Sequence, residues 1–101
     1  MNSANECCEI IKVFFTKNIP HFYLIKEWAK APFWHIEMRK ENIEIEIDGD
    51  MGFHIYIHIY NSKYPLWQYD RSVNNKAIST EENILYQLNV LKRFLNEVGC
   101  N

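Results

Sequence analysis

Between residues 43 and 60 the chain reads IEIEIDGDMGFHIYIHIY, with isoleucine at every second position and carboxylates, histidines and tyrosines between them. Alternation with a period of two is the mark of β-strands with one buried and one polar face. The run FWHIEMRK just before it alternates in the same way, Trp34, Ile36 and Met38 against His35, Glu37 and Arg39. An upstream segment, HFYLIKEWA, predicts a strand of undetermined facing, closed by Ala31 and Pro32. LWQYDRSV predicts a fifth strand, with Trp67, Tyr69 and Val73 inward.

Helical spacing marks the two ends. Ser3 followed by Glu6 fits a capping box, and Cys7, Ile10, Ile11, Phe14 and Phe15 form an apolar stripe that stops before Pro20. Ser79 and Glu82 predict a second capping box, followed by Ile84, Leu85, Leu88, Leu91, Leu95 and Val98, with Gly99 as the stop. The expected fold is α+β: a five-stranded, mostly antiparallel sheet with the N-terminal and C-terminal helices on one face, as a single domain over 1–101.

Matching apolar to apolar sets the expected registers. Met38 faces Ile43, Ile36 faces Ile45 and Trp34 faces Ile47; after a loop from Asp48 to Gly52, Ile47 faces Phe53, Ile45 faces Ile55 and Ile43 faces Ile57. These registers place His35, Glu46 and His54 in one row on the open face, and Glu37, Glu44 and Tyr56 in the next. Glu37 against Glu44 is a like-charge pair that a basic partner would relieve. Glu37, Glu44, Glu46, Asp48, Asp50, Tyr56, His58 and Tyr60 are therefore the candidate partner-binding residues, an acidic and aromatic set with Arg39 as its main cation.

Composition narrows the function classes. The net charge is -2, with 11 basic residues scattered along the chain, so nothing resembles the clustered cations of a nucleic-acid binder, and direct nucleic-acid binding is not expected. No apolar run reaches the ~20 residues of a membrane span, and no leader pattern opens the chain. Three cysteines, Cys7, Cys8 and Cys100, form neither a disulfide framework nor a metal spacing, which fits the cytoplasm. His54 and His58 lie about 13 Å apart along a strand, too far to share one zinc ion. No nucleophile joins the histidine and carboxylate row, so no catalytic residue, metal or cofactor is assigned. The alternative reading is a small enzyme or metal-binding protein that uses His35, Glu46 and His54.

The helix NECCEIIKVFFTKN, the meander WHIEMRKENIEIEIDGDMGFHIYIHIYNSKYPLWQYDR and the closing helix STEENILYQLNVLKRFLNE together resemble bacterial toxin immunity proteins, in particular those of contact-dependent growth inhibition. The resemblance implies a cytoplasmic, non-enzymatic antidote. Its partner would be the C-terminal domain of a cognate toxin, a basic nuclease, tRNA-cleaving in the first instance, neutralised by stoichiometric binding. Self-association through a sheet edge or the open face is a further reading of the same surface.

Overall fold

The computed structural model describes residues 1–99, so Cys100 lies outside the described residues. Helix α1 (Ala4–Asn18) is followed by strands β1 (Tyr23–Lys30), β2 (Phe33–Lys40), β3 (Ile43–Gly49), β4 (Phe53–Ile59) and β5 (Ser62–Pro65). Two short 3-10 turns, Leu66–Gln68 and Arg71–Asn75, lead into helix α2 (Glu81–Glu97). All neighbouring strands are antiparallel, in the order β1-β2-β3-β4-β5. This is the α+β layout expected from the sequence.

Capping starts both helices. The Ser3 hydroxyl accepts from the Glu6 amide while the Glu6 carboxylate accepts from the Ser3 amide, the full reciprocal box. At α2 the cap is Thr80, one residue later than expected, and its hydroxyl accepts from the Asn83 amide at 3.2 Å. Ser79 is diverted by tertiary structure. It is buried, and its hydroxyl donates to the Asp50 carbonyl at 2.8 Å, tying the helix entry to the β3–β4 loop. Ser79 also donates its amide to the Met51 carbonyl at 2.9 Å, and the Phe53 amide donates to the Ala77 carbonyl at 2.8 Å.

One face of the sheet is roofed. Trp34, Ile36 and Met38 from β2, Ile43, Ile45 and Ile47 from β3, and Phe53, Ile55 and Ile57 from β4 join Ile11, Phe15, Ile84, Leu88, Leu91 and Leu95 from the helices in one buried core. The expected fifth strand at 66–73 is instead the pair of 3-10 turns, which follow Pro65 and seat Leu66 and Val73 in that core. Gln87, buried on α2, donates to the Lys76 carbonyl at 2.8 Å and the Val73 carbonyl at 3.3 Å, holding the segment down. Trp67, expected inward, is exposed, whereas Tyr69 packs edge-on against Phe94 at 5.1 Å. The fifth strand is the shorter stretch Ser62–Pro65.

Both central hairpins keep the expected facing but pair two residues further along. Ile36 faces Ile47 and Met38 faces Ile45; Ile47 faces Ile55, Ile45 faces Ile57 and Ile43 faces Ile59. The first hairpin closes through a tight turn at Glu41 and Asn42, with Glu41 in the left-handed region at φ 54. Trp34 supplies the steric reason for the slip. Its partner is Gly49 rather than Ile47, and a Cβ built on Gly49 would lie 2.0 Å from Cε2 of the indole. The buried ring occupies the space that any side chain at position 49 would take, and a β-branched partner beneath it would be still worse placed.

Candidate partner-binding face

The shifted register decides which polar side chains meet on the open face. Three rows now cross it: Trp28, His35, Asp48 and His54; Lys26, Glu37, Glu46 and Tyr56; Tyr23, Arg39, Glu44 and His58. His35 therefore lies opposite Asp48 instead of Glu46, and Glu37 lies opposite Glu46 instead of Glu44. Lys63 on β5 adds a cation beside His58.

His35 is the centre of this face and is almost wholly buried in it, with 9% of its side chain exposed. Its Nδ1 lies 2.5 Å from Asp48 Oδ1 and its Nε2 lies 2.5 Å from Glu37 Oε2. The Trp28 ring stacks over it, centroids 5.8 Å apart and 12° from parallel. Burial works against a charged ring here, but hydrogen bonds and charge from Glu37 and Asp48 outweigh it and hold His35 above its ordinary pKa. A protonated imidazole donates through both nitrogens, and two carboxylates are what it faces. The arrangement favours the protonated ring, and both of its nitrogens are already engaged by carboxylates rather than open to a substrate.

The remaining carboxylates are also internally matched. Glu46 accepts from His58 Nε2 at 2.8 Å and has Lys63 Nζ at 3.4 Å. Burial raises its pKa, yet His58 and Lys63 together pull it below the usual carboxylate value. Glu44 pairs with Arg39 at 2.8 Å. The face is accordingly a lattice of paired charges, with more cations than Arg39 alone. The Glu37 and Glu46 carboxylates, neighbours in the register, escape mutual repulsion because His35 takes one and His58 the other.

The other expected contact residues fall at three places. Tyr56 is half-buried in the middle, with Lys63 Nζ 4.5 Å above its ring. Asp50 is exposed in the β3–β4 loop, where its Oδ1 accepts from the Gly52 amide at 2.9 Å. Tyr60 sits at the opposite end of the sheet, in the β4–β5 turn, at φ 55 and 78% exposed. Glu37, Glu44, Glu46, Asp48, Tyr56 and His58 are thus one contiguous group, while Asp50 and Tyr60 flank it from opposite ends.

Sequence reasoning missed Trp28 and Phe33, both large, apolar and exposed at the Asp48 end of the open face. The signal was the aromatic spacing in WAKAPFW, which places Trp28 and Phe33 on either side of the β1–β2 turn. The alternation of β1 was obscured by an irregularity between Leu24 and Lys26 that resets its facing.

Two other chemistries can be weighed on this geometry. His35, Glu46 and Asp48 have ligand atoms within 4.8 Å of one another, a different trio from His35, Glu46 and His54. A metal ion there would have to take a His35 nitrogen that a carboxylate already engages, Nδ1 by Asp48 or Nε2 by Glu37. Cys7 and Cys8 are buried in α1, and burial, the largest influence on it, pushes the Cys8 thiol up to about 11, far from thiolate chemistry at neutral pH. Among the described residues no helix is long and apolar enough to cross a membrane. Comparison with protein-family models, with curated proteins and with solved structures finds no match to this chain.

Proposed function

We propose that this chain is a stoichiometric binder of a basic protein domain, and that the domain is a bacterial nuclease toxin to which it confers immunity. The observation that carries the binding reading is the asymmetry of the sheet. One face is sealed by both helices and the Leu66–Asn75 segment, while the other leaves an open surface of carboxylates, histidines and the exposed rings of Trp28 and Phe33. Exposed aromatics set among polar groups are the composition of recognition surfaces. Pre-paired charges suit such a surface, because Glu37, Glu44, Glu46 and Asp48 are already ordered and lose little side-chain entropy on docking. Catalysis is the weaker reading, since both nitrogens of the central His35 are committed.

The identity of the partner rests on the resemblance of the chain to immunity proteins, and on charge: a nuclease presents Lys and Arg to phosphate, and carboxylates can satisfy the same groups. The test is to read the adjacent upstream gene for the tail of a very large secreted protein and to co-express that C-terminal domain with this chain. Growth rescue together with a 1:1 complex on size exclusion supports the proposal, and neither rescue nor complex would sink it. Glu44→Gln with Glu46→Gln, which keeps the side-chain shape and sets no new cation beside Arg39, His58 and Lys63, should weaken the complex severalfold while circular dichroism is unchanged.

A further inference from the structure

At the Asp48 end of the open face the β1–β2 turn and the β3–β4 loop enclose a surface notch of about 290 Å³, lined by Trp28, Phe33, Asp48, Asp50, His54 and the backbone at Gly52. Resting on the binding reading above, we propose that this notch receives one arginine side chain of the partner protein. At about 290 Å³ the notch falls just below the usual range for a small-molecule site, with room for one long side chain.

Its walls carry two complementary features. Trp28 is 43% exposed and Phe33 54% exposed, though neighbouring core aromatics such as Trp34 and Phe53 are buried. One face of the Trp28 ring rests on the clamped His35, which fixes the ring's plane, and the rest is open to a ligand. Beside these rings stand two carboxylates. Asp48 is 52% exposed along its side chain, with Oδ1 engaged by His35, and Asp50 is held in place by its bond to the Gly52 amide.

Flat aromatic surface next to carboxylates selects a cation that is itself flat. A guanidinium stacks on an indole and donates several hydrogen bonds in its own plane to carboxylate oxygens. An ammonium is more strongly hydrated and presents no plane, so lysine should be the poorer occupant. Anionic ligands are repelled by Asp48 and Asp50. The His35 clamp serves the notch twice, by orienting both Trp28 and Asp48 before any ligand arrives.

The experiment titrates isotope-labelled protein with three capped tripeptides that differ only in the central residue: arginine, lysine or citrulline. The Trp28 indole N–H and the amides at 48–52 report on the notch by NMR. Saturable shifts confined to these signals with the arginine peptide, about tenfold weaker with lysine and lost with citrulline, are expected. Asp48→Asn, which preserves shape, and Phe33→Ala should each reduce arginine affinity severalfold. Equal binding of citrulline would overturn the proposal in favour of a neutral ligand, and absence of localised shifts would overturn it outright. The outcome is separable from the toxin test: a complex unaffected by Asp48→Asn and Phe33→Ala removes the arginine notch and leaves partner binding standing, whereas an intact notch without growth rescue does the reverse.

Discussion

Replacing Gly49 with alanine adds one methyl group at the point where Trp34 crosses β3. The added Cβ would lie 2.0 Å from Cε2, 2.1 Å from Cζ2 and 2.4 Å from Nε1 of the indole. Carbon atoms sit comfortably at about 3.5 Å or more, so ring and strand must separate by about 1.5 Å. The ring has little room to retreat. It is 1% exposed and packed against Phe53, with centroids 6.2 Å apart. Overpacking of this kind costs about 1–3 kcal/mol. It opposes the ordinary gain of roughly 0.5–1 kcal/mol that alanine brings over glycine in a regular element. A net loss of about 1–2 kcal/mol, the cost lying in the upper part of its range because of the depth of the overlap, corresponds to a fall in Tm of roughly 4–16 °C for a domain of this size. Urea denaturation followed by circular dichroism should show a lower midpoint at unchanged m-value. Trp34→Phe should shrink the penalty of the alanine in a double-mutant cycle, because a smaller ring leaves space above position 49. Neutral or raised stability in Gly49→Ala would refute the contact, and with it the register that pairs Trp34 with Gly49.

His35 should titrate above the ordinary histidine value when its ring signals are followed by NMR, because Glu37 and Asp48 outweigh the effect of burial. With the folded pKa raised, the stabilisation it brings is fully present below the unfolded value of ~6.5 and is lost as pH rises through the folded value. The stability gap between wild type and His35→Asn should therefore narrow toward alkaline pH, and a gap that widens there would contradict the clamp. Thr80→Ala should cost about 1 kcal/mol by removing the acceptor for the Asn83 amide, whereas Thr80→Asp should retain most of the stability. Thermal melts of the two variants test this, and a harmless Thr80→Ala would return the cap to Ser79.

Alternation determined more than it first suggests. With a period of two, any even slip of a strand leaves every side chain on the same face, so Glu37, Glu44, Glu46, Tyr56 and His58 belong to the open face under the expected and the observed registers alike. For the same reason alternation could not choose between those registers. Isoleucine opposite isoleucine is satisfied either way, and only the bulk of Trp34 against the missing side chain of Gly49 separates them. The choice matters for the site: it sends Asp48 rather than Glu46 to His35 and so creates the doubly clamped ring.

Helix stripes and the capping box at Ser3 and Glu6 are local, short-range chemistry and were legible along the chain, except that Val98, expected in the α2 stripe, is exposed at the C-cap of that helix. Ser79 was not legible, because its hydroxyl is taken by the Asp50 carbonyl, 29 residues away in the chain. Likewise Leu66 and Val73 turn inward from 3-10 turns rather than a strand, because the core beside β4 has to be closed by a short segment after Pro65. The sequence by itself thus determined the class of fold and the two faces of its sheet, which depend on periodicity. Which charges meet, and where Trp28 and Phe33 join Asp48, depended on packing between distant segments, and only the tertiary structure could decide it.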